Sequence, residues 1–152
     1  MIAVIRIRTG INIRKEFKDT LKLLRLNYLN NCILKQENPS DMGMTEKVRD
    51  FVTYGEIDKD VLVELLKKRL RLTNDKKVDE KVLKQITGFD SFEKLAEELM
   101  SGKKKLTDFG QIRPFFRLTP PSKGFKSVKE YYPKGDLGYR GREINNLLKR
   151  MI

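Results

Sequence analysis

The sequence predicts an α+β protein in which a small sheet is covered on one face by two helices, followed by a helical insert, an edge strand, a basic arm and a terminal helix. Three observations lead there. Apolar residues alternate at the start, with Ala3, Ile5 and Ile7 opposed to Ile2 and Val4, the two-residue period of a strand. From Phe17 onward they recur at three- and four-residue spacing, the period of a helix packed along one stripe. Strand, helix, strand, helix and strand then follow one another over residues 1–58, an order that suggests one compact layered unit. Residues 59–152 are expected to pack on that core.

Taken in order, "IAVIRIR" is a strand with one core face, whose other face grows basic through Arg6 and Arg8. "TGIN" turns the chain. From Arg14 to about Asn27 a helix is predicted, with Phe17, Leu21, Leu24 and Tyr28 inward and Lys15, Lys18, Lys22 and Arg25 outward. "NNCILKQE" is a second strand, broken by Pro39 before Ser40 or Asp41 caps the next helix. Met44, Val48, Phe51 and Val52 form that helix's stripe, and "TYGEI" is a third strand.

The helical insert begins where Asp58 or Asp60 caps a helix with Val61, Leu62, Leu65 and Leu66 inward. Asp79 starts a short helix closed by "TG", and Ser91 starts another with Phe92, Leu95, Ala96 and Leu99 on one side. Ile112, Phe116 and Leu118 alternate with Arg113, Phe115 and Arg117, and Pro114 marks this as an edge strand or a late-starting one. The stretch from Ser122 to Gly141 has four glycines and no helical period, which predicts an extended arm. "REINNLLKRMI" closes the chain as a helix with Ile144, Leu147, Leu148 and Met151 inward.

Composition removes several function classes. One cysteine, Cys32, and no histidine leave no disulfide framework, no Cys/His zinc site and no histidine-dependent nucleophile; Cys32 in "NCIL" is expected in the core. "DFG" at 108–110 lacks every companion motif of a kinase, and there is no phosphate-binding glycine loop. Glu46, Asp50 and Glu64 alternate with Lys47, Arg49 and Lys67 on helical faces, the spacing of solvated ion pairs rather than of a metal or acid/base site. The opening "MIAVIRIRTG" carries arginines where a signal peptide is apolar, and no run approaches the ~18 apolar residues of a membrane span. A soluble, cytoplasmic protein with no cofactor, no small-molecule substrate and no membrane partner is expected.

The net charge of +12 is unevenly spread. Residues 1–36 carry 8 Lys/Arg against 2 Asp/Glu, residues 37–101 carry 12 against 15, and residues 102–152 carry 13 against 4. Two cationic ends around a mildly acidic middle are the footprint of a protein that docks on a polyanion. In the second basic end, Phe115, Phe125, Tyr131, Tyr132 and Tyr139 interleave with lysines and arginines, the pairing of cation and ring that suits unpaired RNA.

Several ordered blocks carry a resemblance: "AVIRIR" at 3–8, "DTLKLLRLN" at 19–27, "NNCIL" at 30–34, "GMTEKVRDFVTYGEID" at 43–58, "FRLTPPSKGF" at 116–125 and "LGYRGREINNLLKRMI" at 137–152. Over nearly its whole length the chain resembles the archaeal form of the large-subunit ribosomal protein family known as L-thirty, related to L-seven of eukaryotic ribosomes. The resemblance implies an antiparallel three-stranded sheet in a β-α-β-α-β, ferredoxin-like core. It also implies a non-catalytic role in the large (50S) subunit, in single copy, against 23S rRNA near the 5S rRNA region and beside other ribosomal proteins. The chain departs from the family at Leu70 and Thr119, where glycine and histidine are usual, and around Tyr28 and Leu29, where basic residues are usual. The rRNA contacts expected are Arg6, Arg8, Arg14, Lys15, Lys22, Arg25, Arg117, Lys123, Lys126, Arg140 and Arg142 at phosphates, with Phe125 and Tyr139 as stackers. A free RNA-binding module or RNA chaperone is the alternative use of the same residues.

Overall fold

The computed structural model describes residues 1–10 and 12–152; Ile11, in the expected turn, lies outside the described residues. Five strands form one sheet: β1 (Ile2–Arg6), β2 (Asn31–Lys35), β3 (Val52–Glu56), β4 (Phe116–Arg117) and β5 (Gly138–Tyr139), in the order β4-β2-β1-β3-β5. The central three are antiparallel, with Val4 opposite Ile33 on one side and Tyr54 on the other. The expectation of a three-stranded sheet is therefore corrected. Asn31 pairs with Arg117 to add β4, and Tyr54 pairs in parallel with Tyr139 to add β5.

A second correction concerns the faces of the sheet, because the strand expected to have one core face is buried on both. Ile2, Val4, Ile33 and Val52 pack with Leu21, Leu24 and Val48 beneath α1 (Lys15–Leu23) and α2 (Pro39–Lys47). Ala3, Ile5, Ile7 and Cys32 face the opposite way, toward α3 (Lys59–Arg69), α5 (Phe92–Met100) and α6 (Ile144–Met151). Burial also pushes the Cys32 thiol well above its ordinary range, consistent with a packing role.

The helix stripes fall where their spacing puts them. Val61, Leu62, Leu65 and Leu66 of α3, Phe92, Leu95, Ala96 and Leu99 of α5, and Ile144, Leu147, Leu148 and Met151 of α6 are all buried. Ser91 Oγ accepts from Lys94 N to cap α5 (3.4 Å). Asp79 precedes α4 (Glu80–Thr87), which Gly88 closes at φ 77°. The start of α2 is two or three residues earlier than expected, with Asn38 at the cap position and Pro39 in the first turn, where its missing N–H costs nothing.

Helix α1 is shorter than the periodicity suggests. Arg25 N donates to Lys22 O (2.9 Å) and Leu26 N to Leu21 O (2.8 Å), with Arg25 at φ 60°. This is the bond pattern that ends a helix through a left-handed residue, here without the usual glycine. Leu26 is buried against the helix it has just left, and Tyr28, expected inward, is 70% exposed.

The expected extended arm folds back on the protein. Leu137 N donates to Glu130 O, Asp136 N to Ser127 O and Arg140 N to Tyr54 O, so the segment satisfies its backbone against itself and β3. At Gly55 a Cβ would lie 2.0 Å from Gly141 O; only a residue without a side chain lets the returning chain approach so closely. Leu70 is buried in the core, and Thr119 Oγ1 donates to Met151 O (2.7 Å).

Candidate nucleic-acid interface

The sheet brings the two basic ends of the sequence together. Asn30 N donates to Arg6 O (2.8 Å), and Leu118 N donates to Asn30 O (3.0 Å). The exit of β1, the loop before β2 and the exit of β4 are thus neighbours across one end of the sheet. Arg8, Arg25 and Arg117 lie on these segments and are exposed; Lys123, also exposed, lies farther along, where Ser122 N donates to Arg150 O (3.0 Å) at the end of α6. Arg117 lies 3.6 Å from Asp75; Arg8, Arg25 and Lys123 meet no carboxylate among the described residues. Lys123 sits at φ 67° in the turn after the double proline, where Gly124 N donates to Pro121 O.

Arg6 has a different surrounding. Its Nη1 donates to Leu26 O and Asn27 O (both 2.8 Å) and its Nε to Arg8 O (3.2 Å). Partial burial lowers its pKa from the ordinary value, although a guanidinium stays charged. Those three carbonyl contacts hold the loop from Leu24 to Asn30 in place, and Arg25 with it. Arg14, Lys15 and Lys22 lie exposed along α1, with Lys22 in its last turn, where a cation is favoured by the helix dipole.

The remaining expected residues lie around the β5 edge. Tyr139 is 53% exposed, its hydroxyl donates to Glu56 Oε1 (2.5 Å) and its ring is tilted 5.6 Å from that of Tyr54. The neighbouring carboxylate and burial raise the Tyr139 pKa. Tyr54 donates in turn to Glu46 Oε2 (2.5 Å), and this bond, with Arg49, holds the Glu46 carboxyl below its usual range. Arg142 is exposed on a 3-10 turn at Gly141–Glu143. Phe125 is half-buried, packed against the core beside α6.

Arg140, expected at a phosphate, is placed inside. Its side chain is only 5% exposed, its Nη2 donates to Asp136 Oδ1, and its guanidinium carbon lies 5.3 Å from the centre of the Tyr132 ring. Asp136 Oδ2 also accepts from Lys126 N (2.5 Å), so the pair pins the returning segment. Lys126 and Arg140 nevertheless share one concavity of about 350 Å³ with Arg150, a cation the sequence reading did not single out.

The sequence reading also passed over a groove on the opposite side of the sheet, lined by Leu23, Arg25, Lys104 and Lys105. Lys104 and Lys105 lie about 80 residues from Leu23 and Arg25 in the chain, a separation only the fold closes. Among the described residues no group of three or more His, Cys, Asp and Glu side chains is placed to hold a metal ion. Nor is any helix there long and apolar enough to cross a membrane.

Comparison with known proteins places this arrangement. The family model described as ribosomal protein L30p/L7e matches residues 2–52, the β1-α1-β2-α2 segment and the start of β3. The large ribosomal subunit protein uL30 of Archaeoglobus fulgidus is 42% identical over 99% of both chains. Those of Thermoplasma volcanium and Thermofilum pendens are 46% and 47% identical, covering 100% and 98% of this chain and 93% and 97% of their own. Similarity of this extent runs through the helical block and the folded-back segment as well as the sheet, and the chain belongs to the ribosomal protein L30p/L7e family.

Proposed function

We propose that the chain is a structural, non-enzymatic constituent of the large ribosomal subunit, held in one copy against 23S rRNA near the 5S rRNA and beside other large-subunit proteins in the cytoplasm. The family relationship supports the ribosomal role. The observation that carries the RNA contact is the meeting of the two basic ends at one end of the sheet, where Arg8 and Arg25 face solvent without carboxylate partners among the described residues and Arg117 stands beside them. Such cations keep a counterion atmosphere that rRNA phosphates displace, and ion release then supplies much of the affinity. The rigid two-faced sheet fixes their spacing, so that binding orders little of the protein and assembly gains a preformed surface.

Sedimentation of a cell lysate tests the role. The protein is expected as a stoichiometric peak with large subunits in moderate salt. Finding it wholly at the top of the gradient would instead fit a free RNA-binding module that visits many transcripts.

A further inference from the structure

The groove beside α1 has the make-up of a socket for one unpaired nucleobase. It encloses about 210 Å³ between the end of α1, strand β2 and the segment after α5. Leu23, Leu34 and Pro114 give it apolar walls, and Leu23 is left 72% exposed with no protein neighbour to cover it. Apolar and polar groups share its lining about equally, and a concavity that sets an apolar wall beside fixed polar groups suits a small planar group.

Two polar groups line it without protein partners among the described residues. Gln36 Nε2 donates to Leu99 O (2.7 Å), which fixes the carboxamide and leaves its Oε1 as an open acceptor. The Thr107 hydroxyl is likewise unclaimed. Lys35 and Asp41, also in the lining, neutralise each other at 2.8 Å. The charge that remains is that of Arg25, Lys104 and Lys105, none of which meets a carboxylate. Apolar walls call for a ring, open acceptor and hydroxyl groups call for a hydrogen-bonding edge, and a cationic rim calls for phosphate on either side. A nucleotide lifted out of an RNA stack satisfies all three, whereas an apolar peptide leaves the cations unanswered and a lipid's acyl chain leaves the acceptor and hydroxyl unanswered.

The groove also has an outlet. Arg25, Thr107 and Pro114 line both this concavity and a second depression that reaches Arg113 and Phe115, which gives the strand on one side of the base a continuous path. We infer that this groove takes a single extruded nucleobase of the RNA bound by the protein, with Arg25, Lys104 and Lys105 holding the flanking phosphates. The inference rests on the RNA-binding reading above and adds a preference for unpaired structure.

The test uses the full chain with two RNA duplexes, one fully paired and one identical except for a single bulged 2-aminopurine. The protein is expected to bind the bulged duplex about tenfold more tightly, the low end of what stacking one base contributes, with a change in 2-aminopurine emission. Leu23→Asp alters an exposed position and so leaves the fold intact. It is expected to abolish both the preference and the emission change, with a smaller loss of paired-duplex affinity from the carboxylate it sets beside the cationic rim. Lys104→Glu with Lys105→Glu is expected to weaken both complexes and lower the salt slope by about two. If the protein binds the paired duplex but shows no preference, or if Leu23→Asp keeps the preference, the socket is refuted and the RNA-binding reading stands. If it binds neither duplex nor an rRNA fragment, both fall.

Discussion

The cations of the helical block and those of the chain ends are placed in opposite ways. In the block, Lys59 pairs with Glu97, Lys67 with Glu93, Lys68 with Glu64, and Lys84 and Lys94 both with Asp90. At the ends, Arg8, Arg14, Lys15, Lys22, Arg25, Lys104, Lys105, Lys123, Lys126 and Arg142 have no carboxylate within ion-pair range among the described residues. Exposed pairs add little stability, but each cancels a charge that RNA would otherwise feel. The comparison teaches that the net charge of +12 understates the separation of roles: five lysines of the block are cancelled by neighbouring carboxylates, and ten cations of the ends keep their charge outward.

The sharpest way to probe that division is at its exception, Arg140, a cation of the second basic end that is buried and paired. Arg140→Met leaves Asp136 buried and unpaired, and is expected to lower unfolding free energy by about 3–5 kcal/mol. Chemical denaturation measures this, and a loss below about 1 kcal/mol would show that Arg140 is effectively at the surface. The salt slope of RNA binding is expected to stay unchanged in the folded fraction.

Charge reversal on the two sides follows in size. Arg117→Glu, Lys123→Glu and Lys126→Glu together are expected to reduce the log–log salt slope of rRNA binding by about three. Lys67→Glu with Lys68→Glu is expected to leave that slope nearly unaltered. Equal losses from the two sets in a filter-binding titration would remove the distinction between block and ends.

Ser91→Ala deletes, among the described residues, the one α-helix N-cap whose side chain bonds the helix backbone and is expected to cost about 1 kcal/mol. RNA affinity should not follow it, because α5 belongs to the helical block rather than to the basic ends. The smallest effect is electrostatic. With its folded pKa held down by Tyr54 and Arg49, Glu46 contributes stability that is present above its ordinary value of 4.5 and lost as pH falls through the depressed one. Glu46→Gln is expected to flatten the acid limb of the stability profile below about pH 4.5 and to change nothing in its slope near neutrality.

Much of the fold was legible because packed helices announce themselves through spacing: the stripes of α3, α5 and α6 needed no tertiary information. Strand β4 was legible as a late-starting edge strand, through Pro114 and the alternation around Phe116, whereas β5 was hidden, since two paired residues have no period to detect. Helix α1 read too long because its left-handed stop is Arg25 rather than glycine, and that error turned Tyr28 inward. Residue types suited to RNA contact were visible in the sequence, but the protein groups that occupy some of them were not. Arg140 is buried by a carboxylate four residues earlier in a non-helical segment, and Arg6 is occupied by carbonyls 20 and 21 residues away. The groove at Leu23 joins segments near residues 24, 35, 105 and 114, a conjunction only the folded chain makes.

The two outer strands also bear on the protein's life before it meets its ribosome. A sheet edge offers unpaired N–H and C=O groups to any passing chain, and a long one invites edge-to-edge aggregation. Here β4 is two residues long, with Pro114 two residues before it and Pro120 and Pro121 just beyond, and β5 is equally short and turns at Gly141 into a 3-10 segment. A sheet finished this way cannot be lengthened by a neighbour's strand. Copies of the chain are therefore expected to stay apart rather than join through their sheet edges.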